Sequence, residues 1–164
     1  MIVEKGFEVE LLKEVYSRSY YEFFKDAFKL LHQGEVFDDN WHIKYLCDRL
    51  QEEYKRICER RARKRDIIIN MPFRSSKSMI VTVIFNAWVW SQNSQLKFIC
   101  CSYADSLSLE HATRTRTLLL SEWYTTLYGD KVQLRGDENT KSFYTTNHFG
   151  YRKSVGTGGQ ITGS

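Results

Sequence analysis

The chain has few of the residues that mark disordered or fibrous proteins. A single proline, Pro72, and 9 glycines occur among its 164 residues, which argues against a linker-rich or collagen-like protein. The most apolar run, residues 79–90, is shorter than the about 20 residues that a membrane-spanning helix needs. Glu4, Glu8 and Glu10 stand near the start in place of an apolar segment, so we expect no signal peptide and no membrane.

The cysteines lack the spacing of a metal site. Cys47, Cys58, Cys100 and Cys101 form neither a C-x-x-C pair nor a paired cysteine–histidine pattern of the kind that holds zinc. We predict reduced thiols in a cytosolic protein. Cys47 and Cys58 lie about three helical turns apart, so we expect both to fill one side of a helix as small apolar groups.

The chain also has only a small excess of charge of one sign. The formal net charge is +4, from 24 basic and 20 acidic side chains, which is compatible with a polyanionic partner but does not indicate one. Hydrophobic residues make up 42% of the chain and aromatic residues 15%, which is ample for a core. The length favours one domain or a large piece of one.

Apolar spacing predicts two helices in the first third of the chain. Apolar residues recur at intervals of three and four from Leu11 to Leu31, and Gly34 follows as the C-cap. A second apolar stripe runs from Trp41 to Cys58, with Asn40 as the N-cap.

The middle of the chain alternates between strand and helix patterns. We predict a buried strand at 66–70, an interior helix at 77–92, a second buried strand at 96–103 and a helix at 105–124 capped by Asp105. This order predicts an α/β fold with a parallel sheet covered by helices on both faces. Short strands are expected near 132–135, 142–146 and 151–155.

The loop between the first strand and the interior helix reads "MPFRSSKS", residues 71–78. A phosphate-binding loop needs a strand that delivers the chain, amide groups turned inward, a lysine, and a Ser or Thr at the start of a helix. Here the loop residues are 72–76, the lysine is Lys77 and the hydroxyl is Ser78. The alternative interpretation is an ordinary polar turn between two elements.

Glycine is missing from this loop. In the signature G-x-x-x-x-G-K-[ST], the two glycines fall at Met71 and Ser76. A serine in the left-handed backbone region costs roughly 1–2 kcal/mol, which is small beside several charge-assisted bonds to a triphosphate. Arg74 and Lys77 would both point at the phosphates.

The segment "IIINMPFRSSKS" is similar to the Walker A segment of large terminase subunits, the DNA-packaging motors of tailed bacteriophages. In that family the loop often reads P-P-R-x-[SG]-K-S, and glycines are frequently replaced. Phe73 stands where the family has its second proline. The matching residues are Pro72, Arg74, Ser75, Ser76, Lys77 and Ser78.

The resemblance covers residues 37–164 and leaves residues 1–36 as an N-terminal helical extension. Its other segments are "NWHIKYLCDRLQEEYKRI", "FNAWVW", "CCSYADSLSLEHATRTRTLLLSEWY" and "TKSFYTTNHFGYRKSVGTGGQITGS". The order and spacing of these pieces, more than any one of them, carry the likeness. It implies a P-loop NTPase core with a parallel-type central sheet flanked by helices.

The resemblance implies ATP and Mg²⁺ as cofactors. Lys77 would bind the β- and γ-phosphates, Ser78 would ligate Mg²⁺, and Arg74 would contact or sense the γ-phosphate. The amides of Phe73, Arg74, Ser75 and Ser76 would cradle phosphate.

Trp41 and His42 would flank the adenine base. Their alternative role is that of an aromatic residue at a helix start beside a surface histidine.

The chain shows no strand that ends in the aspartate on which hydrolysis depends. The strand "FICCSY" ends at Ser102 and Tyr103, Asp66 precedes its strand, and Asp130 follows a helix. The family has its Walker B strand, and then a nuclease domain, beyond "TGS". We therefore expect an incomplete domain that binds ATP weakly and hydrolyses it negligibly.

As a terminase, the intact protein would power packaging of double-stranded DNA into procapsids. Its partners would be double-stranded DNA, the portal protein, the terminase small subunit and further copies in a ring. It would work in the host cytoplasm and transiently at the portal. The alternatives are a non-catalytic nucleotide- or DNA-binding module, or a fragment of a P-loop helicase.

Several other cations have less specific interpretations. The basic run at residues 60–65 is expected to be a solvated helix end, with DNA contact as the alternative. Arg114 and Arg116 are expected to face solvent, and DNA or a neighbouring subunit is the alternative. Arg152 and Lys153 lie beside the turn "GTGGQ", for which a hairpin is favoured over a second phosphate site.

Overall fold

A computed structural model describes residues 2–63 and 65–157. Within these residues the chain is an α/β protein with six α-helices, a π-helical segment and one four-stranded sheet. In chain order the elements are α1 (Ile2–Arg18), α2 (Tyr20–Leu31), α3 (Trp41–Cys58), the π-helical segment (Met79–Ile84), α4 (Phe85–Gln92), β1 (Phe98–Ser102), α5 (Asp105–Leu120), α6 (Glu122–Tyr128), β2 (Leu134–Asn139), β3 (Phe143–Thr146) and β4 (Tyr151–Gly156).

The sheet is mixed, so the predicted parallel sheet is wrong except for one pair of strands. The strand order is β1-β4-β3-β2. β1 and β4 run parallel, with Ser102 opposite Gly156, whereas the other two pairings are antiparallel. The physical reason is the short connections between β2, β3 and β4, because a tight turn can join only antiparallel strands.

Helices cover one face of the sheet in the described part of the chain, not both as predicted. The Trp90 ring of α4 packs edge-on against Phe98 and Tyr144, and Ser108 of α5 donates to the carbonyl of Cys100. Ile99 points the other way and is 51% exposed. The predicted burial of β1 is therefore correct for one side only.

The strand predicted at 66–70 is not formed. This segment is irregular and pairs with no described strand. Ile68 is 83% exposed, and Ile69 alone of the three isoleucines packs against the core. A strand needs a neighbour for its backbone groups as well as β-branched side chains, and the second condition alone is met here.

Serine residues divide two helices that the periodicity predicts as continuous. Ser19 is extended and separates α1 from α2, where its side chain accepts from the amide of Glu22 at 3.3 Å. Ser121 separates α5 from α6 and accepts from Tyr124 in the same way. Serine favours such caps because its hydroxyl competes for backbone groups, a local preference that the apolar spacing does not report.

The start of α5 differs from its prediction. Ala104 is the N-cap, and Asp105 is the first helical residue. The carboxylate of Asp105 accepts the amide of Gly156 at 2.6 Å. This bond ties the helix to the end of β4 at the edge where both parallel strands finish.

The helix at 77–92 lies inside the protein, as predicted. Trp88 is fully buried, and its indole donates to the carbonyl of Tyr16 at 2.7 Å. The first part of this helix is π-helical. Two outside hydroxyl groups reach its carbonyls: Tyr20 donates to Ile80 and Thr115 of α5 donates to Val83. α2 and α5 thereby hold the segment that follows the 71–78 loop.

Arg152 of β4 is buried completely against this helix. Its Nε donates to the Asn86 side chain at 3.1 Å, and one terminal nitrogen donates to Ser154. Burial raises the pKa of the neighbouring Cys100 thiol, and Arg152 opposes that rise. Residues 158–160 of the turn "GTGGQ" lie outside the described residues.

The two helical cysteines do not share an environment. Cys47 is fully buried in α3, and burial raises the pKa of its thiol above the ordinary value. Cys58, the last residue of α3, is exposed. The predicted shared burial is wrong because α3 extends past the core before it ends.

None of the helices in the described ranges is long and apolar enough to cross a membrane.

Candidate functional site

The loop of residues 71–78, called here the serine loop, is tightly curled. Arg74 and Ser76 both have left-handed backbones, with φ of 61° and 58°. The Ser75 hydroxyl donates to the carbonyl of Pro72 at 2.8 Å, and the amide of Ile80 donates to Ser76 as the helix begins. Successive amides in turns of this type can form a concave anion-binding surface.

Lys77 folds back across the serine loop. Its ammonium group lies 3.1 Å from the carbonyl oxygens of both Met71 and Pro72 and 5.6 Å from the ring centre of Phe73. The Phe73 ring itself is 97% exposed. Because both hydrogen-bond acceptors are neutral, an anionic oxygen would form a stronger, charge-assisted bond with the same ammonium group.

Ser78 lies at the start of the helix, as predicted, and is half-buried. Its side chain does not cap the helix. Among the described residues, no group of three or more His, Cys, Asp or Glu side chains is placed to hold a metal ion. A Mg²⁺ ion that arrives with a nucleotide needs few protein ligands, since phosphate and water fill most of its positions. One serine hydroxyl fits that requirement.

A cleft of about 530 Å³ opens beside the serine loop, and it is called here the main cleft because it borders that loop; a larger depression of about 870 Å³ lies elsewhere, beside α1 and α6. The main cleft lies between the serine loop, the connection from α2 to α3, and α5. Side chains of both charge signs, arginines and carboxylates, line this cleft. Its lining residues are Phe28, His32, Glu35, Val36, Phe37, Asp38, Asn40, His42, Ile43, Arg74, Ser75, Ser76, Met79 and Arg114.

A smaller cleft of about 360 Å³ adjoins it and is called the side cleft. It lies between the first turns of α3 and residues 65–71. His42 lines both clefts, whereas Trp41 lines the side cleft alone and is 78% exposed. The two rings meet edge-on, with centroids 6.1 Å apart.

The predicted site residues therefore fall into three groups. His42, Arg74, Ser75 and Ser76 meet in the main cleft. Trp41 is separated from them in the side cleft. Lys77, Ser78 and Phe73 belong to the serine loop but do not line either cleft. The Lys77 side chain is directed at the carbonyls of its own loop, and the Phe73 ring extends into solvent.

The sequence-based interpretation missed Arg114 and His32, which face the main cleft. Arg114 was expected to face solvent, and its side chain is 42% exposed. One terminal nitrogen lies 3.3 Å from His32, and the other pairs with Glu110 at 2.9 Å. No local signal marks either residue, because the packing of α5 against α2 and the π-helical segment brings them together.

The basic run after α3 is exposed wherever it is described. Arg61 pairs with Glu59 at 2.5 Å and Arg63 pairs with Asp66. Lys64 lies outside the described residues. Exposed pairs of this kind contribute little to stability and reduce the local excess of positive charge. The described part of the run is exposed as predicted, but it follows the end of α3 at Cys58 and is not part of the helix.

No model of a known protein family, no curated protein and no solved structure matches the chain.

Proposed function

We propose that this chain is the ATP-binding part of a DNA-packaging motor of the large terminase subunit type. The proposal rests on the likeness of the serine loop to the Walker A segment of that family. The cofactors are ATP and Mg²⁺, and the nucleotide occupies the main cleft with its phosphates toward the serine loop.

One observation carries the proposal. Ser76 has a φ of 58° at the position where the signature G-x-x-x-x-G-K-[ST] has its second glycine. A left-handed serine is uncommon and is retained where the surrounding structure requires that conformation. The left-handed backbone at this one position supports the proposal, although the residue is not glycine and residues 66–70 ahead of the loop form no strand.

Different residues of the serine loop contact different parts of the triphosphate and its Mg²⁺. Lys77 releases the carbonyls of Met71 and Pro72 and binds the β- and γ-phosphates. Arg74, which already faces the main cleft, contacts the γ-phosphate. Ser78 supplies a hydroxyl to Mg²⁺, and the start of a helix that continues to residue 92 adds its partial positive charge.

The opposite end of the nucleotide lies against α3 and the connection before it. His42 forms a wall of the main cleft and stacks on the base. Glu35 and Asp38 also line this cleft, and their carboxylates can accept hydrogen bonds from ribose hydroxyls or from an amino group on the base. A cleft with both charge signs suits a ligand that has an anionic tail and several donors. Trp41 reaches the base only where the base extends into the side cleft.

Double-stranded DNA, the portal protein, the small subunit and a ring of further copies enter the proposal through the resemblance alone. The same holds for residence in the host cytoplasm and at the procapsid portal.

Nucleotide binding tests the proposal directly. The purified chain is titrated with a fluorescent ATP analogue in the presence of Mg²⁺, and the Lys77→Ala variant is compared with Lys97→Ala. Lys97 is exposed and lies over the Tyr151 ring, so its loss removes the same charge at another place. We expect Lys77→Ala to weaken binding by about tenfold or more, since a charge-assisted bond to phosphate is lost.

Absence of binding by the unsubstituted chain, or equal binding by both variants, would contradict the proposal. A steady-state assay of ATP hydrolysis completes the test. We expect no turnover above the blank, because no apolar strand of the described residues ends in the carboxylates that hydrolysis requires; Asp137 and Glu138 of β2 are exposed and follow no apolar run. Turnover that Lys77→Ala abolishes would overturn this part of the proposal.

A further inference from the structure

We propose that Arg114 is a second phosphate-binding cation of the main cleft, supplied by α5 rather than by the serine loop. This inference rests on the proposed function, because it assigns a contact to the same nucleotide. The ligand group that Arg114 recognises is the polyphosphate tail.

Arg114 lies next to the start of the helix that follows the serine loop. Its NH1 nitrogen is 3.9 Å from the sulfur of Met79, the residue directly after Ser78. Met79 and Arg114 both line the main cleft together with Arg74 and Ser76. A guanidinium at this position shares its cleft with the loop amides proposed to hold phosphate.

His32 holds the Arg114 guanidinium in place. The His32 ring stacks on Phe28 with centroids 4.1 Å apart, and its Nδ1 lies 3.2 Å from the Phe28 carbonyl oxygen. When Nδ1 carries the proton and donates to that carbonyl, Nε2 accepts from Arg114 at 3.3 Å. The guanidinium is thus oriented by a fixed ring at the end of α2.

The backbone that carries Arg114 is also fixed. The next residue, Thr115, is fully buried and donates to the carbonyl of Val83 at 3.0 Å. A cation on a packed helix is positioned more accurately than one on a loop, which favours recognition of a ligand.

The charge partner of Arg114 can be replaced by a ligand. Its ion pair with Glu110 is exposed, with the Glu110 side chain 54% accessible, and Glu110 does not line the main cleft. Exposed pairs of this kind are weak. The other groups in contact with the guanidinium, His32 and Met79, are not acidic. A phosphate offers the planar guanidinium two oxygens at once, which is the geometry that arginine binds best.

Competition binding tests the inference. A fluorescent ATP analogue bound to the chain is displaced by unlabelled ATP, by inorganic tripolyphosphate and by adenosine. For Arg114→Gln we expect affinities for ATP and tripolyphosphate to fall about tenfold, as for the loss of one charge-assisted contact, while the affinity for adenosine is unchanged. Arg135→Gln is the matched control, since Arg135 pairs with Asp137 on β2 and lines neither cleft.

The outcomes separate this inference from the proposed function. Binding of ATP by the unsubstituted chain with no change in Arg114→Gln would overturn the inference alone. An equal loss for adenosine would also overturn it, because Arg114 would then act on the shape of the cleft. Absence of any binding by the unsubstituted chain would overturn the proposed function and the inference with it. If Arg114→Gln does not fold, Arg114→Lys is used, because lysine keeps the positive charge but lacks the paired N–H donors of the guanidinium. A partial loss of affinity for tripolyphosphate is then expected.

Discussion

The hydroxyl of Tyr20 donates a 2.5 Å hydrogen bond to the carbonyl of Ile80, which lies 60 residues farther along the chain. Tyr20 is the first residue of α2, and Ile80 belongs to the π-helical segment that follows the serine loop. Both residues are fully buried. A π-helical stretch departs from the regular α-helical bonding pattern and is common at functional sites. The N-terminal helices therefore help to position the helix on which the candidate site depends.

Replacing Tyr20 with phenylalanine tests this support. The variant leaves a carbonyl without its buried donor, and we expect the free energy of unfolding to fall by about 1–3 kcal/mol. Urea denaturation measures the change. Tyr45→Phe is the control, because Tyr45 is 57% exposed and its hydroxyl can be replaced by water. Equal stability of the two variants would show that the bond to Ile80 contributes nothing.

The backbone of the serine loop leads to a second prediction. The backbone of Ser76 is in the left-handed region, which is unfavourable for serine but not for glycine. We therefore expect Ser76→Gly to raise the free energy of unfolding by about 0.5–1 kcal/mol. Thermal denaturation followed by circular dichroism measures it. Ser75→Gly provides the comparison: that variant loses the 2.8 Å bond to Pro72 and gains no relief of strain, so we expect it to be destabilised. A loss of stability in Ser76→Gly would contradict the left-handed conformation.

A third prediction concerns acid stability and His111. Burial lowers the pKa of His111 from its ordinary value of 6.5; Glu110 opposes this effect, whereas Arg152 and Arg114 add to it. Because the folded protein binds the proton less readily than the unfolded chain, His111 contributes an increasing loss of stability as the pH falls below about 6.5.

We therefore expect His111→Gln to flatten the decrease in stability as the pH falls below about 6.5, as measured by urea denaturation at several pH values. His148, which is exposed and contacts Ser94, supplies the control substitution His148→Gln. An unchanged pH dependence in His111→Gln would refute the prediction.

Local patterns in the sequence were sufficient to predict several of the helices and strands. The helix predicted from the apolar stripe between Trp41 and Cys58 is present, although it ends at Cys58 and not in the basic run that follows. The interior helix and the last three strands occur near their predicted positions. The α/β class follows from the same patterns. In α3 the apolar residues repeat at an interval that fits a helix, which makes this element predictable from the chain alone.

The arrangement of the candidate site required tertiary contacts. Residues 66–70 have the composition of a strand but find no partner, so they remain irregular. Arg114 and Arg152 are both arginines near apolar residues in the sequence, yet one borders a cleft and the other is fully buried. The spacing of residues along the sequence determines which side chains share a face of one helix or strand. It does not determine which element lies opposite, because strand pairing and side-chain burial depend on groups far away along the chain.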